Sequence, residues 1–143
     1  MVFRLLSKMI KKNKNIRLAI IGLGYVGLPL ALEFAKKRNV IAYDYNQERI
    51  NKLKASIDVN LETTKKQFKD SNLIKFTNSI EDLKTANFYI IAVPTPINKF
   101  KKPDLSALLK SSKMIGKILK KKDVIVYEST VYPGCLEEDC VPI

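Results

Sequence analysis

No histidine and no tryptophan occur among the 143 residues, and cysteine appears only at Cys135 and Cys140. Without histidine the chain lacks the commonest proton shuttle and metal ligand, so no metal site is expected. Two thiols near one end form neither a metal-binding cluster nor the disulfide framework of a small secreted protein. Either would need a lysine or a carboxylate as activating base to serve as a nucleophile; Cys140 reads instead as a small hydrophobe on a helix face. No apolar run approaches the length of a membrane span. Acidic residues are scarce, 14 against 26 Lys and Arg, which leaves a net charge of +12. That surplus favours anionic partners in general. It consists of scattered lysine pairs, without interleaved aromatics or a recognition-helix pattern, which argues against nucleic acid and for solvated surface. Glycine and proline are few (5 and 6) beside 46 % hydrophobic residues. The chain is therefore globular, long enough for one domain with a sizeable core.

Three of those few glycines stand together. Residues 18–27 read L-A-I-I-G-L-G-Y-V-G: an apolar run, then Gly22, Gly24 and Gly27, then apolar residues at helical spacing. In a strand–turn–helix unit each glycine has its own task. Gly22 makes the tight turn, Gly24 lets a pyrophosphate approach bare backbone, and Gly27 lets helix and strand pack closely. The anion lies against N–H groups at the helix start. Asp44 lies about 20 residues beyond Gly24 at the end of the next apolar run, where a carboxylate accepts ribose hydroxyls and repels a 2′-phosphate. This combination points to a dinucleotide, and to NAD over NADP.

Periodicity and turn chemistry predict alternating elements. Strands are expected at 16–21, 40–43, 73–76, 88–93 and 124–127, the last two as buried apolar runs. Helices are expected at 25–37, from Asn46 through Leu53, at 61–68, from a Ser79 cap to Leu83, from Pro103-Asp104 to about Leu119, and from about Gly134. Ser56 to Asn60 reads as a polar loop. The alternation describes an α/β, Rossmann-type doubly wound parallel sheet with helices on both faces. Residues 1–15 form a basic, weakly amphipathic extension; residues 16–143 form the nucleotide-binding domain. That domain leaves no room for a catalytic half, so the chain reads as a fragment of a longer one.

Other candidate site residues follow strand ends, the edge at which ligands bind in this architecture. Arg49, about one turn into the second helix, either reaches back over the adenosine half or is a solvated helix arginine. Val93-Pro94-Thr95-Pro96 is a rigid loop in which Thr95 offers a hydroxyl and an N–H to a cofactor, or a purely structural turn. Glu128-Ser129-Thr130 follows the last strand. Thr130 is placed to hydrogen-bond the nicotinamide end or a water near the reacting carbon, and Glu128 to orient that water, unless both serve only the loop.

Taken together, Gly22-Leu23-Gly24-Tyr25-Val26-Gly27-Leu28-Pro29, Asp44, Val93-Pro94-Thr95-Pro96 and Glu128-Ser129-Thr130-Val131-Tyr132-Pro133-Gly134 resemble the amino-terminal domain of the UDP-glucose/GDP-mannose dehydrogenase family. The resemblance runs from about Ile16 to Ile143. Val131 to Gly134 with Glu137 and Glu138, and Asp58-Val59-Asn60 with Glu62-Thr63-Thr64, look like the branch that oxidises UDP-N-acetylhexosamines. The resemblance implies NAD-dependent oxidation of a nucleotide-sugar C6 hydroxyl to a carboxylate, in a cytoplasmic enzyme of polysaccharide biosynthesis. It implies that Gly22, Gly24, Tyr25, Val26, Gly27, Asp44, Arg49, Val93, Pro94, Thr95 and Thr130 line the NAD site, with Thr130 near the chemistry and Glu128 supporting it. It also implies that the thiol nucleophile, its helpers, the UDP-sugar domain and the dimerising helix lie after Ile143. This chain alone is then expected to bind NAD, as a possible monomer, and to oxidise nothing. The alternatives are a UDP-glucose or GDP-mannose enzyme, or a non-enzymatic NAD-binding module.

Overall fold

The computed structural model describes residues 15–97, 99 and 101–143; the expected basic extension lies almost wholly outside the described residues. Five strands, β1 (Leu18–Ile21), β2 (Val40–Tyr43), β3 (Ile74–Thr77), β4 (Phe88–Ile91) and β5 (Val124–Tyr127), form one sheet in the order β3-β2-β1-β4-β5. All four pairings are parallel. Between them run α1 (Gly27–Ala35), α2 (Gln47–Lys54), α3 (Lys65–Asp70), α4 (Ile80–Leu83) and α5 (Ser106–Gly116), followed by a π-helical segment, Leu136–Cys140.

Strand side chains alternate between two cores, which accounts for the continuous apolar runs. Leu18 and Ile20 of β1 join Phe88 and Ile90 of β4 against α1, with Ile50, Leu53 and Phe68. Ala19 and Ile21 join Tyr89 and Ile91 on the other face, with Leu83, Leu108, Ile115 and both cysteines. Helices thus cover both faces, as the sequence pattern requires. Each fully buried Leu or Ile contributes roughly 1.5–3 kcal/mol, and β1 and β4 are buried along their whole length.

Several boundaries differ from expectation for local reasons. Tyr25 and Val26 belong to the turn, and α1 starts at Gly27 and ends at Ala35. The expected helix at 61–68 begins only at Lys65. Leu61 has a left-handed backbone (φ 57°), and Thr64 and Gln67 form a reciprocal capping box that sets the start. Ser79 precedes α4 without a side-chain cap bond; the Thr77 hydroxyl receives the Ser79 N–H and donates to Asp82. Helix α5 starts at Ser106, after Asp104 takes the Ser106 N–H and hydroxyl. Strand β5, expected to be buried, is the half-exposed edge of the sheet.

Candidate functional site

The reversal of strand order falls between β1 and β4, and a ligand crevice opens at the carboxyl ends of such a pair. The glycine turn leaves β1 there. Gly22 has φ +91°, and a Cβ on it would lie 2.9 Å from the Ala92 carbonyl oxygen and from the Val93 side chain. Gly27 faces a tighter limit: a Cβ would stand 1.8 Å from the Gly22 oxygen. These two glycines are dictated by internal packing. Gly24 is not, because among the described residues no heavy atom beyond its chain neighbours lies within 4 Å of where its Cβ would be. No side chain caps α1. Its Leu28 N–H goes to the Gly24 carbonyl at 3.2 Å and Pro29 has none, so the Gly27 N–H and those of the turn just before it suit water or an anion. Tyr25 and Val26, between these groups, are exposed.

Asp44 leaves the end of β2 and closes on the same turn. One carboxylate oxygen accepts the Leu23 N–H at 3.0 Å and the other the Asn46 N–H at 3.0 Å. Asn46 in turn caps α2 through the Arg49 N–H. Arg49 is no solvated helix arginine: its side chain is 10 % exposed. Its Nε and Nη2 both donate to the Leu23 carbonyl, at 3.2 and 2.8 Å. Its Nη1 lies 2.8 Å from Asp58 Oδ1, an ion contact without an aligned hydrogen bond.

Asp58 is the residue that sequence reasoning missed. The expected polar loop hides a carboxylate whose side chain is 1 % exposed and which accepts the N–H groups of Asn60, Glu62 and Thr63 and the Thr63 hydroxyl. Burial alone would raise its pKa; the Arg49, Thr63 and Asn60 contacts outweigh burial and hold it below the usual carboxylate range. The signal was D-x-N with a threonine five residues on, a pattern suited to side-chain-to-backbone turns.

The two loops on the other side of the crevice are tied together. Ser129 donates to the Val93 carbonyl at 2.6 Å, and Thr95 donates its hydroxyl to the Thr130 carbonyl at 2.7 Å. The Thr95 hydroxyl is therefore engaged by the neighbouring loop. Pro94 and the Thr130 side chain are exposed, and Glu128 is half-buried at the end of β5. The structure thus brings the glycine turn, Asp44 and Arg49 together on one wall, and Val93 to Thr95 with Glu128 to Thr130 on the other. Cys135 and Cys140 are buried, and burial pushes the Cys135 thiol up, away from nucleophilic use. A groove of about 840 Å³ lies at the opposite, amino ends of the strands, lined in part by Arg17, Lys37 and Arg38; it shares no residue with the crevice. Among the described residues, no helix is long and apolar enough to cross a membrane, and no three His, Cys, Asp or Glu residues gather as a metal site.

Comparison with known proteins agrees with this fold. The UDP-glucose/GDP-mannose dehydrogenase family, NAD binding domain, matches residues 16–143. UDP-N-acetyl-D-glucosamine 6-dehydrogenase of Salmonella typhi is 58 % identical over 129 residues, covering 90 % of this chain and 30 % of the relative. The Pseudomonas aeruginosa protein of the same name is 52 % identical, over 91 % of this chain and 31 % of its own. The solved structure of UDP-D-ManNAc dehydrogenase from Pyrococcus horikoshii superposes with a TM-score of 0.75 at 34 % identity, covering 86 % of this chain and 30 % of that one. The chain therefore spans about 30 % of the length of the curated relatives it matches.

Proposed function

Because the chain belongs to the UDP-glucose/GDP-mannose dehydrogenase family as its NAD-binding domain, we propose that it holds NAD across the β1/β4 crevice for oxidation of a UDP-N-acetylhexosamine at C6. The observation that carries the site is Gly24. Its neighbours Gly22 and Gly27 are required by the protein's own packing, whereas nothing among the described residues requires a glycine at 24. A bare backbone there is accounted for by a ligand that must approach it closely. The crevice residues fit a dinucleotide: unpaired N–H groups for the pyrophosphate, Asp44 for the adenosine ribose, and Thr95, Glu128 and Thr130 toward the opposite end.

NAD, when bound, supplies the hydride acceptor. Asp44 has one lone pair on each oxygen committed to backbone N–H groups, which fixes the carboxylate for the remaining lone pairs to take ribose hydroxyls. Gly22, Gly24, Tyr25, Val26 and Gly27 present backbone to the pyrophosphate, and Arg49 holds the turn through Leu23. Val93, Pro94 and Thr95 wall the crevice, held by Ser129. Thr130, whose carbonyl is held by Thr95, presents its hydroxyl toward the reacting end, with Glu128 orienting water beside it. The names of the Salmonella typhi and Pseudomonas aeruginosa relatives support an N-acetylglucosamine-type UDP-sugar as substrate of the longer protein. In that protein a second domain would supply the sugar site and nucleophile, a homodimer would form, and polysaccharide biosynthesis in the cytoplasm would use the product. This chain by itself binds cofactor and turns nothing over.

Calorimetric titration with NAD⁺ and NADP⁺, beside an Asp44→Ala variant, tests the reading. Saturable NAD⁺ binding that NADP⁺ and the variant lose is expected. Equal binding of both cofactors, or NAD⁺ binding unchanged by Asp44→Ala, would refute the assignment of Asp44.

A further inference from the structure

Asp58 and Arg49 form a buried pair next to the carboxylate expected to read the ribose. Leu23 stands between Gly22 and Gly24, and both of its peptide groups are claimed by charged side chains. Asp44 takes its N–H at 3.0 Å, and Arg49 forks onto its carbonyl at 2.8 and 3.2 Å. The guanidinium and the Asp44 carboxylate therefore meet across a single residue. In dinucleotide-binding folds, an arginine in this neighbourhood is what accommodates the 2′-phosphate of NADP. Here that cation is turned inward and neutralised by Asp58, whose side chain is 1 % exposed.

Loop stability alone does not call for this pair. Asp58 already accepts four hydrogen bonds from Asn60, Glu62 and Thr63, which satisfy a loop-organising carboxylate. Exchanging a buried ion pair for apolar side chains is often neutral or stabilising, so its presence is weak evidence for stability and better evidence for holding one arrangement. The fork onto one carbonyl also needs arginine's planar geometry, which a lysine ammonium cannot reproduce.

We propose that Asp58 is a positioning residue for cofactor selectivity: it holds Arg49 against the Leu23 carbonyl, bracing the glycine turn, and withholds the guanidinium from the ribose 2′ position beside Asp44. Selectivity against a 2′-phosphate then has two parts, repulsion by Asp44 and withdrawal of the Arg49 cation by Asp58. The inference rests on NAD binding in the β1/β4 crevice.

The test measures NAD⁺ and NADP⁺ dissociation constants for the unsubstituted protein, Asp58→Asn, Arg49→Lys and the double variant Arg49→Met/Asp58→Asn, with circular dichroism to confirm folding. Releasing the cation in Asp58→Asn weakens NAD⁺ binding several-fold and shifts the NADP⁺-to-NAD⁺ affinity ratio about tenfold toward NADP⁺. The double variant, lacking the cation, keeps the weaker NAD⁺ binding and loses the shift. Arg49→Lys keeps all four loop bonds to Asp58 and a cation paired with it but loses the fork onto the Leu23 carbonyl. It therefore gives a readout even if Asp58→Asn does not fold: NAD⁺ binding weakens several-fold with the ratio held, and unweakened NAD⁺ binding overturns the bracing of the turn. A purely structural Asp58 would weaken both cofactors equally. An unmoved ratio in folded Asp58→Asn, with NAD⁺ binding by the unsubstituted protein intact, overturns this inference alone. Absence of NAD⁺ binding by the unsubstituted protein overturns the cofactor reading and this inference with it.

Discussion

Alanine at Gly24 and alanine at Gly27, made separately, divide ligand contact from packing within one turn. At position 27 the new methyl would stand 1.8 Å from the Gly22 carbonyl oxygen. Ordinary contact begins near 3.4 Å, so the start of α1 must retreat from the turn by more than an ångström, with seven of its nine residues buried. Overpacking of this kind typically costs 1–3 kcal/mol and occasionally more. The obstacle here is backbone, so about 3 kcal/mol is expected, a fall in Tm of roughly 10 °C for a domain of this size. At position 24 the methyl meets no atom of the described residues beyond its chain neighbours within 4 Å, and the backbone is not left-handed. The substitution reduces the freedom of the unfolded chain and stabilises the fold by about 0.4–1 kcal/mol. The same methyl occupies the space where the pyrophosphate would approach, so NAD⁺ affinity falls at least about tenfold. Thermal melts and NAD⁺ titration of both proteins read the result. A Gly24→Ala protein that binds NAD⁺ like the parent would refute the placement of the pyrophosphate. A Gly27→Ala protein with unchanged Tm would refute the packing argument.

The Asp58 carboxyl is held below its unfolded value. Its contribution to stability is therefore full above the unfolded carboxylate range and is lost as pH falls through the depressed value. Asp58→Asn should lower Tm at pH 7, by an amount equivalent to about 3 kcal/mol for an Arg49 left unpaired, and this difference should shrink below about pH 4; a difference constant from pH 7 to pH 3 would contradict the pairing. Cys135 and Cys140 are buried, so an aromatic disulfide reagent should label neither quickly in the native protein and both in denaturant; fast native labelling would refute their burial. Tyr89 is fully buried and donates to the Leu83 and Ala86 carbonyls at 3.2 and 3.0 Å. Tyr89→Phe should cost about 1–2 kcal/mol in a denaturant melt and leave NAD⁺ affinity unchanged, which distinguishes core damage from site damage.

Element type and order were legible because they depend on neighbours in the chain. The span of β2 and of β5 follows from apolar runs bounded by turn residues, and the Asn46 start of α2 is a side-chain cap. Helix starts that depend on loop geometry were harder. The left-handed Leu61 and the Thr64–Gln67 box delay α3, and neither shows in hydrophobic spacing. The exposure of β5 was not legible either, since an edge strand and a central one can have the same apolar sequence.

At the site, sequence alone determined the glycine turn after β1, the acidic residue after β2, and the two threonine-bearing loops after β4 and β5. Tertiary structure decided which of these act as ligand surface and which as scaffold. Only the packing of the turn against Ala92 and Val93, and of α1 against the turn, shows that Gly22 and Gly27 answer to the fold while Gly24 does not. Only the closure of the loop after α2 turns Asp58 from a polar loop residue into the buried partner of Arg49. Only parallel pairing of β4 with β5 brings Thr95 to the Thr130 carbonyl, 35 residues away. Local pattern specifies where strands and helices form, because it acts through adjacent backbone and side chains. The partnerships that aim a carboxylate or an arginine form between distant segments, and strand register and helix packing set those distances.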